Sequence, residues 1–203
     1  MKTACLQFNP IQENTYVVWD DTKQCVVIDA GNSSPREDAA LDNFIAGHGL
    51  EPVMAINTHG HFDHTLGVGH LKERYGIPFA LSGKDRFLLD NASASGSVFG
   101  VKVGAMPPAE IDLDGTPEIR FGRTTLRVIP PPGPTPGHVA FYQPQPKALF
   151  TGDPLFRQSI RRTDLPACDY SSTIPSNLHS PLPLAPSAHV YPRSGPATPL
   201  RPQ

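Results

Sequence analysis

The segment Asn57-Thr58-His59-Gly60-His61-Phe62-Asp63-His64 restricts what this chain can become more than any other stretch. It sets three imidazoles and one carboxylate within six positions. The apolar run Val53-Met54-Ala55-Ile56 before it reads as a short buried strand, and the spacing after it predicts a helix over Leu66–Tyr75, ended by Gly76. The motif is therefore a strand-to-helix corner. With the strand continuing extended, His59 and His61 are two apart and project to the same side. With the helix beginning near Asp63, Asp63 and His64 sit in its first turn. Two pairs of donors then face one space. Desolvating clustered imidazoles and a carboxylate costs free energy with no return unless a cation joins them. Imidazole with carboxylate suits Zn²⁺, and also Fe or Mn. The competing reading is a solvated polar loop. His48, His70, His179 and His189 stand alone and read as ordinary histidines.

The rest of the chain must build a frame for that corner. Its 203 residues suffice for one sizeable domain or two small ones with a proper core. Cys5-Leu6-Gln7-Phe8, Thr15 to Trp19 and Cys25 to Ile28 are β-branched or aromatic runs, the last two joined by a turn at Asp20-Asp21-Thr22-Lys23. Ser34-Pro35-Arg36-Glu37 is a helix start, followed by Ala40, Leu41, Phe44 and Ile45 at helical spacing. Ile77–Leu81 reads as a strand and Lys84–Asn91 as helical, while 93–117 is loop-rich. A hairpin is expected around Gly122-Arg123, then strands at Val139–Tyr142 and Ala148–Thr151. The order is β-rich, then αβ units, then β-rich again.

Proline divides the chain. Of 24 prolines, seven precede residue 130 and 17 lie in the last 74 residues. Tyr170–Leu184 has apolar residues at helical positions, but Pro175, Pro181 and Pro183 argue against a long helix, since each interior proline costs roughly 3 kcal/mol. We expect a domain over 1–195 and a loose tail over 196–203. The net charge of −2 with no like-charge block excludes the electrostatic footprint of a nucleic-acid or membrane-surface binder. Cys5, Cys25 and Cys168 are odd in number and scattered, which suits a reducing, cytoplasmic setting, and neither a signal peptide nor a bilayer-spanning run is expected from these residues.

Thr58-His59-x-His61-x-Asp63-His64 resembles the signature of the metallo-β-lactamase-fold hydrolases. Phe8-Asn9-Pro10, Gln12 to Tyr16, Ile28-Asp29-Ala30-Gly31, Thr151-Gly152-Asp153 and Arg162 to Pro166 are similar to its glyoxalase-II-like branch. The resemblance implies an α+β four-layer αββα sandwich with a two-metal site at one edge of the sheets. It implies that His59 and His61 hold one metal, Asp63 and His64 a second, and that Asp153 bridges both. Activity would be hydrolysis of a small thioester or ester, acyl-glutathione among them, by water activated on the metals and oriented by Asp63. Independently of the resemblance, an acid following a strand and a glycine, as Asp153 does, can reach a sheet edge; it can equally be an ordinary turn residue.

The pattern also breaks. The family's loop His-Thr-Pro-Gly-His-Thr-Pro-Gly is here Pro130-Pro131-Pro132-Gly133-Pro134-Thr135-Pro136-Gly137, so Pro134 stands at a ligand position without a lone pair to give. The family's Tyr-Pro-Gly-His is here Tyr191-Pro192-Arg193-Ser194. Gln158, Arg161, Ala167, Cys168 and Arg193 replace glycines of the branch. His138 and His189 are expected outside the ligand set, His138 as a supporting or surface residue. One or two Zn²⁺ ions, or Fe or Mn, are therefore expected, with a metal-dependent hydrolase as one reading. The alternative is a catalytically inactive relative that retains the fold and binds a metal or partner.

Overall fold

Side chains alternate across a strand, and over Tyr16 to Trp19 and Cys25 to Ile28 both sets are apolar and buried, so these strands of the first sheet are covered on both faces. The computed structural model describes residues 1–131, 134–153 and 189–193, together with the backbone of 198–199. The first sheet runs β1 (Lys2–Phe8), β2 (Glu13–Trp19), β3 (Gln24–Ile28), β4 (Glu51–Ile56), β5 (Phe79–Leu81), β6 (Ile111–Asp112). β1 to β3 form an antiparallel meander, and β3 to β6 are successively parallel. The second sheet runs β7 (Glu118–Phe121), β8 (Thr124–Ile129), β9 (Ala140–Pro144), β10 (Lys147–Gly152), β11 (His189–Pro192), β12 (Thr198–Pro199), antiparallel except for β10 with β11. The helices are α1 (Pro35–Gly47), α2 (Phe62–Thr65), α3 (Val68–Tyr75), α4 (Arg86–Asp90) and α5 (Ala92–Val98).

The alternation sorts the core. Val17, Trp19 and Val27 turn one way and pack with Leu41 and Ile45 of α1 and Leu71 of α3. Tyr16, Val18, Val26 and Ile28 turn the other way and pack with Leu126, Phe141 and Phe150 of the second sheet. A helical layer, a sheet and a second sheet are thereby stacked. Fully buried Phe79, Phe141 and Phe150 each contribute roughly 1.5–3 kcal/mol of burial. α1 begins as expected: the Ser34 hydroxyl accepts from the Glu37 N–H, and Pro35 occupies the first turn.

Several expectations are corrected. The helix expected over Leu66–Tyr75 begins at Val68, and a separate short α2 precedes it. Gly67 breaks the run, because its N–H donates to the Ala30 carbonyl and its Cα sits against the Asn32 side chain. The loop-rich stretch 93–117 contains α5, which buries Ala92 and Gly96, with Gly96 close under Val101 and Val103. Tertiary packing overrides the poor helix propensity of its serines. Apart from these corrections, Thr198–Pro199 pairs antiparallel with β11. Tyr170–Leu184, Gln158, Arg161, Ala167, Cys168 and Ser194 lie outside the described residues. Among the described residues no helix is long and apolar enough to cross a membrane.

The two sheets are tied at the end away from the histidines. Asp20, in the β2–β3 turn, accepts from the Thr22 N–H (2.9 Å) and hydroxyl, and across the sheets from Arg123 N–H (2.6 Å) and the Thr124 hydroxyl (3.0 Å). Gly122 has a positive φ of 52° there, and a Cβ on it would meet Thr22 and Asp20. Burial favours the neutral acid, but these hydrogen bonds outweigh it and hold Asp20 at about 2. Asp20→Asn, which turns an amide toward an N–H donor, is expected to cost about 1–3 kcal/mol in urea denaturation at neutral pH. The folded-state pKa lies below the unfolded one, so the ionised carboxylate's stabilisation is complete above about pH 4 and lost as pH falls through about 2. The gap between wild type and variant should close over that window.

Candidate metal centre

Parallel pairing aligns strand ends, and this is what assembles the site. β3 and β4 end side by side, and so do β10 and β11 in the facing sheet. Asp29 follows β3, the Asn57–His64 corner follows β4, Asp153 follows β10 and Arg193 follows β11. Glu13 opens β2, which is antiparallel to β3, so it reaches the same edge. The two halves are stitched by the Val139 N–H to the Thr58 carbonyl (2.8 Å). Gly152 is required next to Asp153: its φ is 58°, and a Cβ there would lie 2.1 Å from the Thr58 hydroxyl.

The corner is held by buried polar side chains. The Asn57 amide donates to the His64 carbonyl (2.7 Å), and the Asn9 amide to the carbonyls of Asp63 (3.1 Å) and Gly31 (3.0 Å). Asp85 accepts from the Gly60 N–H (2.9 Å), the Thr135 hydroxyl (2.6 Å) and the Gly137 N–H (2.8 Å), so one carboxylate joins the corner to the loop before β9. Asp29 accepts from the Thr58 N–H (2.7 Å) and hydroxyl (2.8 Å). Asp29 adopts a φ of 52°, a strained conformation for a non-glycine residue, at the point where its carboxylate meets the site.

That last contact decides a tautomer. The Thr58 hydroxyl proton is committed to Asp29, so Thr58 Oγ1 accepts from His59 Nδ1 (3.0 Å). His59 Nε2 then carries the lone pair, and it points into the site. It lies 2.9 Å from His61 Nδ1 and 3.9 Å from Asp153 Oδ2. One ligand atom from each of His59, His61 and Asp153 lies within 4.8 Å of the others. Burial, then the neighbouring His64, keeps both His59 and His61 below the usual imidazole range, so both rings are neutral. Neutral imidazole nitrogens and a carboxylate oxygen on converging positions fit a divalent cation.

The other predicted donors behave differently. His64 is fully buried, with Nδ1 3.2 Å from both Glu13 and Asp29. Burial pushes its pKa down, but Glu13 and Asp29 dominate and raise it to about 10. Its Nε2 has no hydrogen-bond partner among the described residues, and faces Asp63 Oδ2 at 3.8 Å and Asp153 Oδ1 at 4.0 Å. Asp63 Oδ2 accepts from Arg193 Nη2 at 2.5 Å, and Arg193 Nε lies 3.2 Å from Asp153 Oδ1. The structure thus groups His59, His61 and Asp153, and separately groups His64 with Glu13 and Asp29. His138 is buried, and its Nε2 donates to the Thr151 carbonyl (2.8 Å), steadying the strand end that carries Asp153. Pro134 and His189 are exposed.

Sequence reasoning gave no role to Glu13, Asp29 or Asp85, and treated Arg193 only as a lost glycine. Asp29 had a usable signal, since it follows the apolar run Val26-Val27-Ile28 as Asp153 follows its strand. Glu13 and Asp85 had none, because only the sheet register and a distant loop give them partners.

The comparisons with known proteins bear on the same residues. A model of the metallo-beta-lactamase superfamily matches residues 8–192. The hydroxyacylglutathione hydrolase GloC of Haemophilus influenzae is 30% identical over 186 residues, spanning 91% of this chain and 86% of that protein. Among solved structures, BLEG-1 B3 metallo-beta-lactamase has a TM-score of 0.79 at 32% identity, with 98% of this chain and 94% of that one covered. TTHA1623 in a di-iron-bound form has a TM-score of 0.74 at 34% identity, with 97% and 94% covered.

Thr58→Val keeps the shape of the side chain and removes the hydroxyl between Asp29 and His59. Zn²⁺ affinity, measured by competition with a chromophoric chelator, is expected to weaken about 10–100-fold, the usual effect of losing a partner that orients a ligand.

Proposed function

The chain belongs to the metallo-beta-lactamase superfamily, and from that premise we propose that it is a metal-dependent hydrolase of a small thioester or ester, acyl-glutathione included. The convergence of one ligand atom each from His59, His61 and Asp153 within 4.8 Å carries the reading. Its likeness to a hydroxyacylglutathione hydrolase supports the thioester class. The residues that would hold the ion are His59, His61 and Asp153, with Asp63 and His64 on the side where the resemblance expects a second. Zn²⁺ is the natural choice for these donors, and the di-iron form of a similar structure keeps Fe in view. A divalent cation at this position supplies Lewis acidity, bringing the pKa of water from 15.7 to about 7 and polarising a carbonyl.

The chain's own residues set the conditions for that chemistry. Asp29 and Thr58 keep the His59 Nε2 lone pair directed inward. Asp85 holds the Gly60 backbone between the two ligand histidines. Asp63 is a buried carboxylate beside the site, and in this reading it orients the attacking water. No protein nucleophile is needed.

Pro134, exposed at a position where the resemblance expects a histidine ligand, favours a second reading in which the fold holds a metal or partner without turnover. One assay separates the two. Purified protein loaded in turn with Zn²⁺, Fe²⁺ or Mn²⁺ is offered acyl-glutathione thioesters and aryl esters. Hydrolysis should appear, vanish with a chelator and return with the cation. His59→Ala and Asp153→Asn should each lower kcat/KM by more than about 100-fold, beyond the loss expected for a merely supporting residue. Metal-replete protein that hydrolyses none of these substrates overturns the hydrolase reading and leaves the second.

A further inference from the structure

Arg193 enters the site from β11 with little freedom to leave it. Its N–H donates to the Gly152 carbonyl (3.1 Å), and its carbonyl accepts from the Asn14 N–H (2.7 Å). The main chain is therefore clamped on both sides, by β10 and by β2. The side chain is only 12% exposed. Its guanidinium spans the gap between two carboxylates: Nη2 donates to Asp63 Oδ2 at 2.5 Å, Nη1 to Asp153 Oδ2 at 3.5 Å, and Nε faces Asp153 Oδ1 at 3.2 Å. Asp63 and Asp153 are two of the three residues expected to hold a second ion, and the third, His64, aims Nε2 at the same oxygens. Guanidinium stays protonated at any working pH, so the positive charge here is permanent. A divalent ion on Asp63, His64 and Asp153 would have to share oxygens and space with it. That side of the centre, as built, does not fit a metal.

We propose that the Arg193 guanidinium is a fixed second cation, so that the chain binds a single divalent ion at His59, His61 and Asp153 while Arg193 neutralises Asp63 and pairs with Asp153 most closely at Oδ1, the oxygen turned from His59. The inference deepens the metal-centre reading and rests on it for the first position. It accounts for the direction of two departures from the family pattern. An arginine stands where glycine leaves room, and a histidine ligand is absent from the position after it.

The test counts metal. Full-length protein is stripped with chelator, equilibrated with excess Zn²⁺, desalted and analysed by mass spectrometry of the elements. Wild type should hold one ion per chain, Arg193→Ala two, and the charge-keeping Arg193→Lys one. Two ions in wild type, or one in Arg193→Ala, overturn the inference and leave the metal centre standing. No ion in any variant overturns the metal centre itself. A second readout needs no metal. In the stripped protein Arg193→Ala should lower the melting temperature, because Asp63 and Asp153 lose their shared counter-charge. Adding Asp63→Asn should then recover part of the loss. Additive losses in the double variant would show that Arg193 does not neutralise Asp63 and would overturn the inference.

Discussion

A buried carboxyl group must be matched by positive charge or hydrogen bonds, and the site edge of this protein concentrates three, Glu13, Asp29 and Asp63, beside the half-buried Asp153. Everything else at that edge answers this demand. His64 sits between Glu13 and Asp29, and its imidazole is held in the charged range by them. Arg193 sits between Asp63 and Asp153. The remaining direction of Asp153 faces the neutral pair His59 and His61. There the donors converge, which is where a divalent ion has a physical reason to be.

The two sheets make this concentration possible. Each contributes one parallel pair, β3 with β4 and β10 with β11, whose ends finish at the same edge. Ligand sites in mixed α and β structures commonly lie at the carboxyl ends of parallel strands, where loops are free to carry function. Opposite this edge the sheets are tied by Asp20 to the Gly122 turn, so a stable seam lies away from the strained, charge-rich end. The strained φ of Asp29 and the glycine at 152 belong to the charged end.

Against the pattern that the resemblance implies, the framework is retained and one ligand position of each metal is altered. The metallo-beta-lactamase fold is shown, and the Asn57–His64 corner and Asp153 carry the residues that the resemblance implies. The loop at Pro134 and the residues after β11 do not. A histidine replaced by proline cannot ligate, but a glycine replaced by arginine adds a charge of the same sign as the ion it would accompany. The two changes therefore act differently: the first removes a donor, the second adds an acceptor's partner.

What the sequence determined by itself is local. The strand-to-helix corner was legible because His59, His61, Asp63 and His64 are close along the chain, and strand and helix periodicity alone fix which way such neighbours face. The β2–β3 hairpin, the start of α1 and the β7–β8 hairpin were legible for the same reason. Asp153 was half legible, as an acid after a strand that might reach an edge or merely turn. α5 was hidden, because its serines favour a loop until Val101 and Val103 pack over Gly96. Glu13, Asp29, Asp85 and Arg193 acquired their roles only in the tertiary structure. Each lies tens of residues from its partner, and only strand register and the facing of two sheets bring Glu13, Asp29 and Arg193 beside opposite charge and Asp85 beside its N–H and hydroxyl donors.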